Sequence, residues 1–317
     1  MRSLPYLLFY CFSFVFLLGY PFSTYAQTAH YKWAGAWQPV RKSAGDGITA
    51  LDIKIGQFIT LPGQGALAQV IFNVQNRFPA SRPWATWAVG DLTQLTPSYA
   101  GLSERDHDNY LRHMDSLGVA VFLEIFPFKA HAGKGRVASD IPGMIDQWLG
   151  KFKHHPCIVG MGIDLEYLGK ATDSMAQSWD EKIKVHHPSY RLFLRHYQAE
   201  YMPPQYRGKG DLLFINDASE GAITDLNAGF AAWANRFAPT ACAFQIGYPA
   251  DEDGMDGHHA TGWWKLQDPI RDWGNAILPL IKDTRQELGL IWVTALSGKT
   301  YHQQWDLTRG ARLPGRK

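Results

Sequence analysis

Two acidic residues, Asp164 and Glu166, stand at the end of the apolar run that covers residues 158–165. Residues i and i+2 of a β-strand point to the same side of the sheet, with backbone positions about 6–7 Å apart. Two neighbouring carboxyl groups do not both ionise readily, so the pKa of one rises while that of the other stays low. The pair therefore predicts acid chemistry near neutral pH, and a structural hydrogen-bonded pair is the alternative interpretation.

Other acids, amides and aromatic residues occur at the ends of other apolar runs or in the loops that follow them. They are Trp37, Glu124, Asp217, Gln245, Tyr248, Trp263 and Trp292. Aromatic rings stack on the faces of sugar rings, and carboxyl groups protonate a leaving oxygen and stabilise an oxocarbenium-like centre. The set predicts a cleft that binds and cleaves sugars, with these residues as substrate contacts. Glu124 could instead be a buried acid with a basic partner, Asp217 the cap of a turn, and Trp263 part of a packing pair.

The segment 159–166, VGMGIDLE, resembles the fourth-strand signature D-x-x-D-x-D-x-E of the family 18 chitinase-like glycoside hydrolases. Asp164 and Glu166 match its last two acids, whereas Val159 and Gly162 stand where the family has its first two Asp residues. Three more segments are similar to the sixth, last and first strands of that family, namely 244–248, 290–293 and 31–38. The resemblance covers strand ends within an otherwise dissimilar chain.

The resemblance implies a glycoside hydrolase that acts on a polysaccharide with N-acetylated amino sugars. Glu166 would be the general acid, and the nucleophile would be the N-acetyl carbonyl of the substrate, oriented by Asp164. Tyr248 would donate a hydrogen bond to that carbonyl, and Trp292 would support the sugar ring. Because the two upstream Asp residues are absent, a mechanism in which Asp217 or Glu124 partners Glu166 stays open. A carboxyl separation near 5 Å would indicate retention, and a wider gap inversion.

Two further functions remain open at this point. One is a non-catalytic carbohydrate-binding barrel that has lost hydrolase activity, which the absent upstream acids favour. The other is a hydrolase or lyase with an unrelated substrate, since the same fold supports many chemistries.

The candidate site residues stand at the ends of apolar runs, and a sheet built from these runs would bring them together. Seven or eight such runs alternate with amphipathic stretches along the chain. This alternation predicts an α/β protein with a parallel sheet, in the form of a single-domain (β/α)8 barrel. The predicted strands cover 31–37 (with 50–55 as a competitor), 84–89, 119–126, 158–165, 212–215, 241–247 and 290–296. The predicted helices cover 66–74, 103–117, 141–152, 190–201, 226–237 and 270–288. No G-x-G-x-x-G or Walker A motif follows a strand, which argues against nucleotide binding.

The histidines give no metal motif. They include the adjacent pairs 154–155, 186–187 and 258–259, and adjacent residues of a helix or strand do not point at one ion. H-E-x-x-H and C-x-x-C are absent, so we expect neither a bound metal nor a cofactor. The acidic segment 251–254 is interpreted as an exposed turn rather than a calcium loop. Cys157 and Cys242 are expected to be buried, with a disulfide as the alternative.

The composition and the amino-terminal residues limit the possible partners and cellular location of the protein. The 317 residues include 31 basic and 29 acidic ones, and a net charge of +2 gives no argument for nucleic acid as a partner. Arg2, an apolar run over 7–18 and small residues before Gln27 predict a signal peptide over 1–26, followed by the barrel over 27–317. A membrane anchor is the alternative, although the run is short for a span. We expect a periplasmic or secreted monomer without stable membrane insertion, whose partner is a poly- or oligosaccharide.

Overall fold

The architecture is that of a computed structural model. It describes residues 28–38, 40–42, 48–52, 57–61, 63–89, 103–125, 138–166, 168–248, 262–263 and 266–293. The predicted signal peptide, the acidic segment 251–254 and the histidine pair 258–259 lie outside these residues.

Strands and helices alternate along most of the described chain. In order they are β1 (Tyr31–Gln38), β2 (Val40–Lys42), β3 (Ile48–Asp52), β4 (Gln57–Leu61), α1 (Gly63–Gln75), β5 (Arg82–Val89), α2 (Glu104–Leu117), β6 (Ala120–Ile125), α3 (Ile141–Phe152), β7 (Ile158–Asp164), α4 (Asp173–His186), β8 (Arg191–Arg195), β9 (Leu213–Asn216), α5 (Ile223–Phe237), β10 (Ala241–Ile246), α6 (Pro269–Ile277) and β11 (Leu288–Val293).

Eight of these strands close into a barrel in the order β1-β5-β6-β7-β8-β9-β10-β11, and β11 pairs with β1. Every neighbouring pair in the barrel is parallel. The strands β2, β3 and β4 form a separate antiparallel sheet, which is inserted in sequence between β1 and α1. The prediction of an α/β, single-domain (β/α)8 barrel is therefore confirmed.

The interior of the barrel has an apolar middle and polar ends. Trp84, Phe122 and Phe193 meet edge to face in the middle, with ring centroids 6.0 and 5.4 Å apart. At the amino-terminal end of the strands, Arg191 Nη1 lies 2.6 Å from Glu287 Oε1. Side chains alternate between this interior and the layer of helices, which is why the barrel strands have near-continuous apolar runs.

Several element boundaries agree with the sequence. Helix α2 begins after Ser103, whose side chain accepts from the Asp106 amide in a capping box, and ends at Gly118 with φ 67°. Helix α3 has the predicted limits. β1 is the barrel strand near the amino terminus, whereas its competitor contributes only β3 of the small sheet. Cys157 and Cys242 are buried, as predicted, and both are free thiols, so they form no disulfide.

The helix predicted over 190–201 is wrong. Residues 191–195 form β8, and a 3₁₀ turn follows at Ala199–Tyr201. The run Leu192-Phe193-Leu194 is too short to show a helical period, and its side chains are buried on both faces of the sheet. The true helix, α4, precedes this run and has Thr172 as its N-cap. The strand prediction for this part of the chain therefore lacked the eighth strand.

The helix predicted over 270–288 is too long. Helix α6 ends at Ile277, and a 3₁₀ turn covers Leu278–Leu280. Pro279 lies in that turn, and proline has no amide hydrogen and clashes with the carbonyl of residue i−4. The last strand begins at Leu288, two residues before its predicted start.

In the described part of the chain, no helix has both the length and the hydropathy of a membrane span.

The close packing in the middle of the barrel gives a first prediction. A Cβ at position 162 would lie 1.9 Å from Cζ of Phe193, so Gly162→Ala must displace a buried ring. We expect a loss of about 1–3 kcal/mol in the free energy of unfolding, measured by denaturant titration. Gly150→Ala is the matched control in α3, where a Cβ meets nothing within 4 Å and helix propensity favours alanine. Equal stability of the two variants would contradict this packing.

Candidate active site

Inward-facing polar residues gather at the carboxyl-terminal ends of the barrel strands. They are Glu124 on β6, Asp164 on β7, Arg195 on β8, Gln245 on β10 and Asp217 directly after β9. This end of a (β/α)8 barrel carries the active site in characterised enzymes of the fold. The closed sheet therefore brings together residues that are far apart in sequence.

Arg195 is the centre of this group. Its Nη2 lies 2.5 Å from Oδ2 of Asp164 and 2.9 Å from Oε1 of Glu124. Its Nε lies 3.6 Å from Oδ2 of Asp217, and its Nη1 donates to Oε1 of Gln245 at 3.0 Å. The arginine is only 1% exposed, so these groups replace most of the water that would otherwise solvate the cation. We refer to Arg195, Glu124, Asp164, Asp217 and Gln245 as the arginine cluster.

Trp37 supports the arginine cluster from β1. Its Nε1 donates to Oε2 of Glu124 at 2.9 Å, and the Arg195 guanidinium carbon lies 4.8 Å from the centroid of its ring. The ring therefore stabilises the cation by a cation–π contact. Both Trp37 and Glu124 are buried, so in this structure they support the site from within rather than present a surface to a ligand. Glu124 is thus the buried acid with a basic partner that the sequence left as an alternative.

One cation cannot neutralise three buried carboxylates. Burial raises the pKa of Glu124 to about 7, with Asp164 adding to the rise and Arg195 opposing it. Burial also raises the pKa of Asp217 well above its ordinary range, again against the effect of Arg195. Asp164 makes the shortest contact with Arg195. Glu124 and Asp217 are therefore protonated over part of the neutral range.

Glu166 lies at the mouth of the barrel, beside the arginine cluster. Strand β7 ends at Asp164, so Glu166 is in the following turn and not on the strand, as the pairing argument had assumed. Its backbone amide donates to Oδ1 of Asp164 at 2.8 Å. The residue is exposed, yet partial burial of its carboxyl group and the charge of Asp164 raise its pKa, while Arg195 opposes the rise. The predicted rise of one pKa in the pair is therefore found at Glu166.

Tyr248 joins the arginine cluster through Gln245, whose Nε2 donates to the tyrosine oxygen at 2.6 Å. The backbone oxygen of Tyr248 accepts from Nε1 of Trp263 at 2.8 Å. Trp263 in turn packs edge to face on Trp292, with ring centroids 5.2 Å apart. The two indoles therefore fix the segment that carries Tyr248.

Trp292 does not face the interior. Its neighbours Ile291 and Val293 belong to the interior cluster, and the alternation along β11 turns Trp292 towards the helices, where it is fully buried. The expectation that Trp292 opens onto the same cavity as the acids is therefore wrong. Trp263 is buried as well, which agrees with the packing interpretation rather than with an open ring for a sugar.

Sequence reasoning missed Arg195 and Tyr197 because both lay in the helix wrongly predicted over 190–201. Tyr197 is 47% exposed, and its pKa is raised by burial and by the charge of Glu166. Its ring stacks on His196 at 4.5 Å, and His196 stacks on Tyr201 at 3.6 Å. The helical pattern of residues 173–186 could have revealed the missed strand, because in a βα alternation a strand follows each helix.

Comparisons with known proteins support the fold. No protein-family model and no curated protein matches the chain by sequence. The endo-beta-mannanase/endo-beta-glucanase PbGH26A-GH5A of Prevotella bryantii is similar in structure, with a TM-score of 0.50 and 10% identity over 88% of this chain. The chain spans less than half of that protein, 46% of its length. At this identity the likeness shows a shared barrel and nothing finer.

Weaker structural similarity extends to other proteins. Sph3 of Aspergillus clavatus, solved in complex with GalNAc, gives a TM-score of 0.43 at 10% identity, over 89% of this chain and 98% of that one. The catalytic domain of a mannanase from Streptomyces sp. SirexAA-E gives 0.40 at 10% identity, over 86% and 95%.

The arginine cluster gives a second prediction, on stability. Arg195→Met removes the cation and leaves buried carboxyl groups, which costs about 3–5 kcal/mol when one partner of a buried ion pair is lost. The loss grows from pH 5 to pH 8. Carboxyl groups whose pKa is raised by folding stabilise the native state when protonated, and that stability declines as they ionise. Denaturant titration at both pH values measures the difference.

Arg285→Met is the matched control, because Arg285 is an exposed arginine beside Asp283. We expect it to change the free energy of unfolding by less than about 0.5 kcal/mol at either pH. A loss for Arg195→Met that is the same at pH 5 and pH 8 would show that uncompensated carboxylates are not its cause.

Proposed function

We propose that the protein is a glycoside hydrolase that cleaves a polysaccharide, with Glu166 as its general acid. The observation that carries the proposal is the exposed carboxyl group of Glu166, with a raised pKa, at the mouth of a barrel beside the buried arginine cluster. An acid whose pKa is raised keeps its proton to a higher pH than an ordinary glutamic acid and can deliver it to the departing glycosidic oxygen. The barrel shared with the mannanase/glucanase of Prevotella bryantii supports this at the level of fold.

Asp164 acts as a positioning residue in this proposal. One of its oxygens accepts from the Glu166 amide, and the other contacts Arg195. Its charge helps to keep the proton on Glu166. With both oxygens occupied, Asp164 is poorly placed to orient a substrate amide, as the family 18 mechanism would require. The arrangement therefore favours the two-carboxylate mechanism over assistance by an N-acetyl group, and it leaves the identity of the sugar open.

Asp217 is the best second carboxyl group. It lies across the arginine cluster from Asp164, and the charge of Glu166 contributes to the rise of its pKa. Two such acids lose their protons in separate steps, so one protonated and one ionised group coexist over an intermediate pH range. In this proposal Glu166 donates the proton to the leaving oxygen, and Asp217 supports the positive centre or activates water once it has ionised, which its raised pKa confines to the upper part of the active pH range. Activity is expected to be bell-shaped in pH.

Tyr197 is the best-placed aromatic contact for a sugar ring. It is exposed at the same mouth, and the stack of His196 and Tyr201 behind it holds its ring. The buried indoles of Trp37, Trp263 and Trp292 support the site from within instead. We infer that the substrate is met outside the cytoplasm, in keeping with the signal peptide that the sequence predicts.

Glu166→Gln tests the general acid. Glutamine keeps the size of the side chain and the backbone amide that binds Asp164, but it cannot protonate a leaving oxygen. We expect turnover to fall by about 10²–10⁴, with the melting temperature almost unchanged. Release of reducing ends from a panel of polysaccharides measures activity, and Glu181→Gln on the exposed surface of α4 is the matched control.

Near-normal turnover by Glu166→Gln would remove Glu166 from the role of acid. If the activity fell only in proportion to a lowered melting temperature, Glu166 would be structural. If the wild-type protein cleaved no polysaccharide but bound one in a manner that depends on Glu166, it would be a carbohydrate-binding barrel.

A further inference from the structure

A second cluster of polar side chains lies away from the mouth of the barrel. Asp108 of α2 meets His154 and His155, which lie in the turn between α3 and β7. The Oδ1 atom of Asp108 is 3.1 Å from Nε2 of His155 and 3.4 Å from Nε2 of His154. All three donor atoms lie within 4.8 Å of one another. The cluster is next to the start of β7, the opposite end of that strand from Asp164.

The second nitrogen of each imidazole is held by an acceptor. Nδ1 of His155 lies 2.6 Å from Oδ2 of Asp115, and Nδ1 of His154 lies 2.9 Å from the backbone oxygen of Lys151. Both partners can only accept, so Nδ1 of each ring carries a proton, and Nε2, the nitrogen that faces Asp108, is the one that would bind an ion. Carboxylate or carbonyl groups behind metal-bound histidines fix the tautomer in this same way.

The acids of the cluster are also fixed. Oδ1 of Asp115 accepts from the backbone amide of Cys157 at 2.7 Å, which holds the carboxylate against His155. Arg112 pairs with Oδ2 of Asp108, so Oδ1 remains directed at the two imidazoles. Each of the three side chains that would bind the ion is therefore held by a further contact within the protein.

We propose that Asp108, His154 and His155 bind a divalent ion of the zinc type. Bonds of about 2.0–2.1 Å in a tetrahedral site place neighbouring ligand atoms about 3.3–3.4 Å apart, and the two Asp108–imidazole distances match that spacing. One carboxylate and two imidazoles suit Zn²⁺, and the exposed His154 leaves a fourth position to water. The site joins α2 to the connection before β7.

The sequence argument against the adjacent pair 154–155 assumed a helix or a strand. These residues lie instead in a turn, and their rings are 4.2 Å apart and tilted by 38°, which lets both Nε2 atoms approach one carboxylate. The proposal does not depend on the hydrolase assignment. The competing arrangement is an ion-pair cluster in which protonated histidines bind Asp108 without a metal.

Zinc titration of the untagged full-length chain, stripped with a chelator, tests the proposal at pH 7.5. Competition with a chromophoric chelator measures the affinity and the number of ions bound. We expect one tight equivalent of Zn²⁺ per chain and a rise in melting temperature on its addition. His154→Ala should weaken that affinity at least about 10-fold, because it removes an exposed ligand without disturbing the core.

His187→Ala is the matched control, since His187 is an exposed histidine of another adjacent pair. It should bind zinc as tightly as the wild type. Substitution with Co²⁺ should give the intense visible absorption of a tetrahedral ion, and this signal should be lost in His154→Ala. Zinc affinity unchanged by His154→Ala, or no tight equivalent in the wild type, would overturn the proposal and leave the ion-pair cluster.

Discussion

The buried guanidinium of Arg195 is the interaction on which the candidate site depends. A cation taken out of water is costly unless charges and hydrogen-bond acceptors surround it. Here the partners come from separate strands, among them Glu124, Asp164 and Gln245, with Trp37 against the face of the guanidinium. Because these contacts form only when the barrel closes in the correct register, the same interaction ties the fold to the site.

Strand β8 shows how the barrel keeps two charged centres apart. Its inward-facing residues are Arg191, Phe193 and Arg195, at positions i, i+2 and i+4. Arg191 pairs with Glu287 at the amino-terminal end. Burial raises the pKa of Glu287, but the charge and hydrogen bond of Arg191 outweigh that effect, and the pKa falls to about 2. At the other end, carboxyl groups outnumber the cation, and pKa values rise. Strand β8 thus contributes to an ion pair at one end of the barrel and to a group of carboxyl groups with raised pKa values at the other.

Much of the fold could be predicted from local patterns, because caps and apolar periods are local. Ser103 and Gly118 bound α2 as the sequence indicates. The site was only partly predictable. Arg195 stayed hidden because its short strand resembles a helix segment, and the outward orientation of Trp292 depends on the register of β11. Arg195 and Asp164 are 31 positions apart in the sequence, and Glu124 and Trp37 are 87 positions apart. Contacts over such separations leave no local signal in the sequence.

The central claim is that one guanidinium holds more carboxyl groups than it can neutralise, so that Glu124 keeps its proton close to neutral pH. A ¹³C NMR titration of the side-chain carboxyl carbons tests this most directly, with the Glu124 signal assigned by its absence in Glu124→Gln. The account predicts a midpoint near pH 7 for Glu124, as burial raises its pKa to about 7. A midpoint near the ordinary value of 4.5 would contradict it, because the arginine cluster would then contain fully ionised acids.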